Sequence, residues 1–207
     1  MEHAEKTGNR VVYSIGHSNL LIDDFISLLH QYRIEAVVDT RSQPYSKHAP
    51  QFNEHALKAA VKNAAITYVF MGEELGGRPK DKRFYDSDGR VLYGVLAETK
   101  PFQSGIQRVQ YGSEKYRLAL LCSEEDPIFC HRNLLVGRVL RTRGFDILHI
   151  RKSGILESDQ EVAQRNSLQF RMFCESEAEW KSTQSVLQRK VLNSSSRRFD
   201  ASKSRSS

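Results

Sequence analysis

The chain has 207 residues, of which 39% are hydrophobic and 27% charged. That balance suffices for one domain with an appendage and excludes a membrane-spanning or wholly disordered protein. The net charge of +6 is local: residues 181–207 hold seven cations (Lys181, Arg189, Lys190, Arg197, Arg198, Lys203, Arg205) against Asp200, while residues 1–180 hold 24 charges of each sign.

Three cysteines, Cys122, Cys130 and Cys174, are too few and too irregularly spaced for a disulfide framework. The opening MEHAEKTGNR is polar, with no signal-peptide stretch behind it. No run approaches the roughly 20 apolar residues of a membrane helix. The expectation is a soluble, cytoplasmic protein in a reducing compartment, with no membrane partner.

Val11 to Ile15 is short, β-branched and closed by Gly16, the pattern of a buried strand. Ser18 and Asn19 offer capping oxygens, and Leu21, Phe25, Leu28, Leu29 and Tyr32 recur at helical spacing. Ile34 to Val38 reads as a second strand ending at Asp39, which completes a βαβ unit and favours a parallel sheet. A helix from Asn53 to Asn63 and a strand from Ile66 to Phe70 follow. A long, glycine-rich connection then runs from Met71 to about Thr99, a length that is usually functional or disordered. Phe102 to Tyr111 reads as a helix, Leu118 to Cys122 as a buried strand, and His131 to Arg143 as a helix stopped by Gly144. Ile147 to Ile150 is the fifth strand.

The reading is therefore a three-layer α/β domain of about five mostly parallel strands over residues 11–157, after a flexible residues 1–10. Residues 158–192 read as a helical extension with Phe170, Met172, Phe173, Trp180, Val186 and Leu187 as docking residues. Residues 193–207, rich in serine and arginine, read as a disordered tail.

Ligands of parallel α/β sheets bind outside the carboxyl ends of the strands. The unusual polar residues collect there: Gly16, His17, Ser18 and Asn19; Asp39, Arg41 and Ser42, continuing to Gln51 and Asn53; Glu73, Glu74, Gly76 and Gly77; and Cys122, Glu124, Glu125, Cys130, His131 and Arg132. The strings SIGHSN, VVDTRSQPYSKHAPQFN, ELGGRP and LLCSEEDPIFCHR resemble, in order, the signature segments of the domain of unknown function, family 488. The resemblance covers roughly residues 11–150, with weaker similarity to Glu157. It implies a compact α/β domain with its site at the motif residues, and some members are loosely labelled as related to DNA repair. It implies nothing about the C-terminal forty-odd residues.

Each cluster has a structural and a functional reading. Gly16 turns the chain sharply, and His17 is either a base or a bystander beside a capped helix. Asp39 and Arg41, two apart in extended chain, project to one side as either a structural ion pair or a proton-handling carboxylate with an anion-binding guanidinium. Glu73 is a general acid if the glycine loop closes over it, and otherwise a turn residue. Cys130 lies at a helix start beside His131 and Arg132, but a phosphatase loop would need arginine at position 136, where Val136 stands. Cys122 reads as a core thiol, and Glu124 and Glu125 either orient His131 and Arg132 or are solvated. Zinc is not expected, because Cys122, Cys130 and His131 supply at most three ligands and no Cys-x-x-Cys pair occurs. No cofactor is specified.

The expected function is an enzyme binding a phosphorylated small molecule, nucleotide or nucleic acid. Asp39, Glu73 and His17 are the acid–base candidates for hydrolytic or glycosidic-bond chemistry. Gly16, Ser18, Asn19, Arg41, Ser42, Gln51, Asn53, Gly76, Gly77, Cys130, His131 and Arg132 are the ligand-binding candidates. A non-catalytic nucleotide-binding module and cysteine-dependent thiol chemistry are the alternatives. Truncation at Asn193 is expected to remove most salt-sensitive nucleic-acid binding and leave the folded site unchanged. The slope of binding constant against salt for both chains measures this.

Overall fold

The computed structural model describes residues 10–170 and 180–183. Apolar, mostly β-branched segments form strands β1 (Arg10–Gly16), β2 (Ala36–Asp39), β3 (Thr67–Phe70), β4 (Leu118–Cys122) and β5 (Phe145–Ile150), joined by the short strand β6 (Leu156–Ser158). The sheet order is β3-β2-β4-β1-β5-β6, with β1 to β5 parallel and β6 antiparallel to β5. This is the expected α/β architecture with a sixth strand added. Leu156–Glu157–Ser158 is too short to show a periodicity, and its pairing with β5 makes it a strand.

Side chains alternate across the strands and build two cores. Val12, Ala36, Val38, Leu118, Leu120, Phe145 and Ile147 face one layer. That layer comprises helices α3 (Gly72–Leu75), α4 (Tyr93–Ala97), α5 (Lys100–Lys115) and α6 (Arg138–Thr142). Tyr13, Ile15, Val37, Ala119, Leu121 and Ile150 face the other, formed by α1 (Ile22–Gln31) and α2 (Glu54–Asn63). The helices after β1 and β2 thus cover one face and those after β3 and β4 the other. β4 inserts between β2 and β1, so the sheet changes direction there, and such a switch point is where open α/β sheets bind ligands.

Three local expectations change. Helix α1 begins at Ile22 with Leu21 as its N-cap and no side-chain cap, so Ser18 and Asn19 lie outside it. Ser18 instead adopts a left-handed conformation, with φ 46°. The helix expected over His131 to Arg143 opens as a π-helical turn, Arg132–Gly137, before α6; such turns recur at functional sites. The connection after Met71 is ordered by α3, a 3-10 turn at Lys82–Phe84, a bridge between Tyr85 and Val91, and α4.

The C-terminal region contributes α7 (Asp159–Phe170) and a separate extended contact. Lys181 bridges antiparallel to Leu92. Trp180 therefore docks, as expected, but from extended chain rather than from a helix. Its Nε1 donates to the Leu134 carbonyl at 2.8 Å, and Arg138 lies over its ring at 4.5 Å. The docking roles expected of the Phe170 side chain, Met172, Phe173, Val186 and Leu187, and the Ser/Arg tail, lie outside the described residues. No helix among the described residues is long and apolar enough to cross a membrane.

Trp180→Phe removes the hydrogen bond to the π-turn and is expected to cost about 1 kcal/mol. Trp180→Ala also loses the packing and is expected to cost about 3 kcal/mol. Urea denaturation followed by circular dichroism measures both, because Trp180 is the single tryptophan and cannot serve as its own fluorescent reporter.

Candidate functional site

The carboxyl ends of β1, β2 and β4 gather most of the expected residues, but strand alternation sorts them into two clusters. The first lies on the α1–α2 side. Asp39 is fully buried, and its Oδ1 accepts from Arg41 N at 3.1 Å and Arg41 Nε at 2.9 Å. Its Oδ2 accepts from Arg41 Nη2 at 2.6 Å and from the Tyr68 hydroxyl at 2.8 Å. Arg41 Nη1 donates to the Phe52 carbonyl at 2.8 Å and to His17 Nε2 at 3.2 Å. Every guanidinium nitrogen of Arg41 is thereby engaged inside the protein.

His17 is equally fixed. It stacks on Phe52 at 4.3 Å, and its Nδ1 donates to the Ser18 carbonyl at 2.9 Å, leaving Nε2 to accept from Arg41. Burial, then the Arg41 charge, lowers its pKa from 6.5 to about 4. Burial, and then Asp39, pushes the Tyr68 hydroxyl well up. This cluster is a set of mutual hydrogen bonds that fixes the loop after β2.

The second cluster lies on the α3–α6 side. Cys122 ends β4, and Cys130 and His131 precede the π-turn. Cys122 Sγ donates to Glu124 Oε2 at 2.7 Å, Cys130 Sγ lies 3.4 Å from the same oxygen, and His131 Nδ1 lies 3.5 Å from Cys122 Sγ. His131 Nε2 donates to the Thr40 carbonyl at 2.9 Å. Both thiols are buried and unbridged, while Glu124 and His131 reach partly to solvent. One thiol, carboxylate or imidazole atom from each of the four lies within 4.8 Å of every other.

Charge is shared tightly in this pocket. Burial and the neighbouring Cys130 push the Cys122 thiol up. Burial also opposes ionisation of Cys130, but the Cys122 hydrogen bond, Arg132 and His131 outweigh it and bring its pKa to about 5. Burial would likewise raise Glu124, yet the Cys122 hydrogen bond and the His131 charge hold it at about 2. Burial disfavours charge on His131, but the hydrogen bond and charge of Cys130 outweigh it and raise its pKa.

Glycines permit the close approaches. A Cβ on Gly16 would collide with the Glu124 carbonyl, and one on Gly77 with the His131 ring. Gly77 thus packs closely against His131, and Gly76 against Gly72 and Ser42. The segment is tied to Ser42, whose Oγ accepts from Arg78 N at 2.9 Å. Tyr93, buried beside the thiols, is pushed well up by burial and by the charges of Cys130 and Cys122.

The remaining expected residues are placed elsewhere or engaged. Glu73 is exposed on α3 rather than covered by the glycine loop, and its neighbour Glu74 pairs with Arg108. Asn19 is exposed, and its side chain accepts from the Ser18 hydroxyl at 3.3 Å. Gln51 donates to the Leu20 carbonyl at 2.9 Å, and Asn53 accepts from Ser46 N at 2.7 Å, so both tie loops together. Arg132 is fully buried, with Nε on Ser14 Oγ at 3.3 Å and its two other nitrogens on the carbonyls of Glu124 and Glu125. The expected anion-holding trio Arg41, His131 and Arg132 therefore directs its donors at the protein's own carbonyls, carboxylate and imidazole.

Ser14, His149 and Asp159 form a Ser–His–Asp line, with Ser14 Oγ 2.6 Å from His149 Nδ1 and His149 Nε2 3.2 Å from Asp159 Oδ1. Ser14 and His149 are wholly buried and Ser14 is held by Arg132, so this line serves the core and not a substrate. Sequence reasoning missed Glu124 as a partner of Cys122. The signal was available: the two stand two apart at a strand end, the same spacing that linked Asp39 to Arg41.

The family model described as Domain of unknown function DUF488 matches residues 21–139. With this sheet, and with the three later motifs inside the matched span, the chain belongs to that family; SIGHSN lies just before the match. No curated protein and no solved structure matches the chain.

The His17 shift makes stability depend on pH. Between about pH 6.5 and 4 the unfolded chain binds a proton at His17 that the folded chain refuses, so stability falls on acidification through that window. The expected loss is about 3 kcal/mol, and His17→Gln flattens this part of the profile. Urea denaturation midpoints from pH 7 to pH 4 measure the difference.

Proposed function

We propose that the chain is a cytoplasmic enzyme that binds a phosphorylated ligand, a nucleotide or nucleic acid, at the carboxyl ends of β1, β2 and β4. Hydrolytic or glycosidic-bond chemistry is assigned to groups of the Cys122–Glu124–Cys130–His131 pocket rather than to Asp39, Glu73 and His17. The reading is carried by one observation. The chain leaving Gly77, which covers His131, is Arg78-Pro79-Lys80-Asp81-Lys82-Arg83, exposed except for half-buried Pro79. Arg83 pairs with Asp81 at 2.8 Å, whereas Arg78, Lys80 and Lys82 have no ion-pair partner among the described residues. Arg78 acts electrostatically on Tyr93, which is itself within reach of both thiols. A basic rim thus borders the pocket of a domain whose net charge balances, because balance over a domain does not say where charges lie.

Salt-sensitive binding that survives truncation at Asn193 is expected at this rim. A thermal-shift screen against nucleotides, nucleosides, sugar phosphates and short oligonucleotides tests the reading. A phosphorylated member at a hundred times its Kd is expected to raise the midpoint by roughly 5–10 °C. Arg78→Glu/Lys80→Glu/Lys82→Glu loses the shift without lowering the unliganded midpoint. No stabilisation by any anion overturns the reading. A non-catalytic binding module is the alternative, favoured by the complete internal engagement of Asp39, Arg41 and His17. Turnover of the stabilising ligand that Glu124→Gln abolishes decides for the enzyme.

A further inference from the structure

We propose that Cys122, Glu124, Cys130 and His131 are a tetrahedral zinc site. This goes beyond the functional reading above and stands whether or not a phosphorylated ligand binds. Cys122, Cys130 and His131 supply three ligands, and the fourth is Glu124, brought back onto Cys122 by the loop after β4.

The first support is geometry. Zinc bonds of about 2.3 Å to sulfur and 2.0–2.2 Å to nitrogen or oxygen imply tetrahedral edges of about 3.3–3.8 Å. The separation of Cys122 Sγ from His131 Nδ1 is 3.5 Å and that of Cys130 Sγ from Glu124 Oε2 is 3.4 Å. The longest separation in the set stays within 4.8 Å. The shorter edge of 2.7 Å between Cys122 Sγ and Glu124 Oε2 is a thiol–carboxylate hydrogen bond that the metal replaces.

The second support is the surrounding shell. Zinc-bound histidines characteristically donate their other ring nitrogen to a carbonyl or carboxylate, which orients the ring. His131 Nε2 does so to the Thr40 carbonyl at 2.9 Å, turning Nδ1 toward the thiols, and Gly77 packs against the same side chain. The Glu124 loop is clamped on its other flank. Glu125 is held by Arg151 at 2.7 and 2.9 Å, and Asp126 by Arg165 at 2.7 and 3.0 Å.

The third support is charge. Among the described residues, the buried Arg132 has only neutral hydrogen-bond partners, Ser14 Oγ and two carbonyls, and buried charge requires a counter-charge nearby. Two thiolates and a carboxylate around a dication leave one negative charge, and Arg132, which acts electrostatically on both thiols, balances it. Binding is acid–base only: zinc–sulfur, zinc–nitrogen and zinc–oxygen bonds form, ligand protons leave to the buffer, and nothing is oxidised or reduced. Paired thiolates with imidazole select zinc over magnesium or calcium. With both thiols buried and His131 held by the Thr40 carbonyl, the half-buried carboxylate is the ligand an incoming oxygen would displace.

Metal analysis of the purified full chain is expected to return stoichiometric zinc. Cobalt added to chelator-treated protein is expected to give thiolate-to-cobalt charge transfer and the intense visible bands of a tetrahedral site. Cys122→Ser and Cys130→Ser abolish those bands, while Glu124→Gln retains them with roughly tenfold or greater loss of affinity. Because a serine variant can fail to fold, the unaltered chain is also melted before and after chelation: chelation lowers the midpoint, and zinc but not magnesium restores it. Zinc far below stoichiometry with only the weak spectrum of octahedral cobalt, or a midpoint indifferent to chelation and zinc, overturns the site. Zinc binding without any ligand-induced thermal shift keeps the site and removes the functional reading. A ligand shift without zinc does the reverse.

Discussion

The buried guanidinium of Arg132 is the constraint on which the functional end of this molecule depends. A charge with no exposure is costly unless its surroundings compensate it. Here each nitrogen has a neutral acceptor, and two of those acceptors are the successive carbonyls of Glu124 and Glu125. Arg132 thereby pulls the loop after β4 down over Gly16, where a side chain would obstruct it. The same loop is gripped from outside by Arg151 and Arg165 through Glu125 and Asp126. With its neighbours held on both flanks, Glu124 is the acidic residue left facing the thiols.

The inner end of Arg132 continues into the core. Its Nε donates to Ser14, Ser14 meets His149, and His149 meets Asp159, which also accepts from Arg141 at 2.8 Å. Burial and then the Arg132 charge lower the His149 pKa, so His149 stays neutral and relays a hydrogen bond rather than a charge. The line connects β1, β5 and the start of α7 to the loop that presents Glu124. Local rigidity at the pocket thus rests on contacts from four parts of the chain far apart in sequence.

Strand alternation explains why the motif residues do not form one site. Asp39 shares a face with Val37, and His17 follows Tyr13 and Ile15, so both lie toward α1 and α2. Cys122 shares a face with Leu118 and Leu120, toward α5 and α6. The two clusters meet at the carboxyl end of the sheet, where Arg41 acts on Cys122 and Glu124 acts on His17. One cluster is closed on itself and braces the sheet end. The other retains unbridged thiols and partial access to solvent.

The sequence by itself determined the α/β class, β1 to β5 within a few residues, and the end of the sheet where polar residues gather. Apolar runs, helical spacing and Gly144, with φ 79° after α6, are local signals that fold as they read. Only tertiary structure decided the rest, because the decisive forces act between segments distant in the chain. Leu156–Ser158 becomes a strand through β5, and the π-turn after His131 is accompanied by a hydrogen bond from Trp180 to Leu134. The roles of the charged residues also depended on partners that composition cannot show. Arg41 read either as the ion-pair partner of Asp39 or as an anion binder, and Arg132 as an anion binder; the structure pairs Arg41 with Asp39 and Phe52 and turns Arg132 onto the Glu124–Glu125 carbonyls. Glu124 read either as an orienting partner of His131 and Arg132 or as a solvated loop charge, and the fold places it on Cys122.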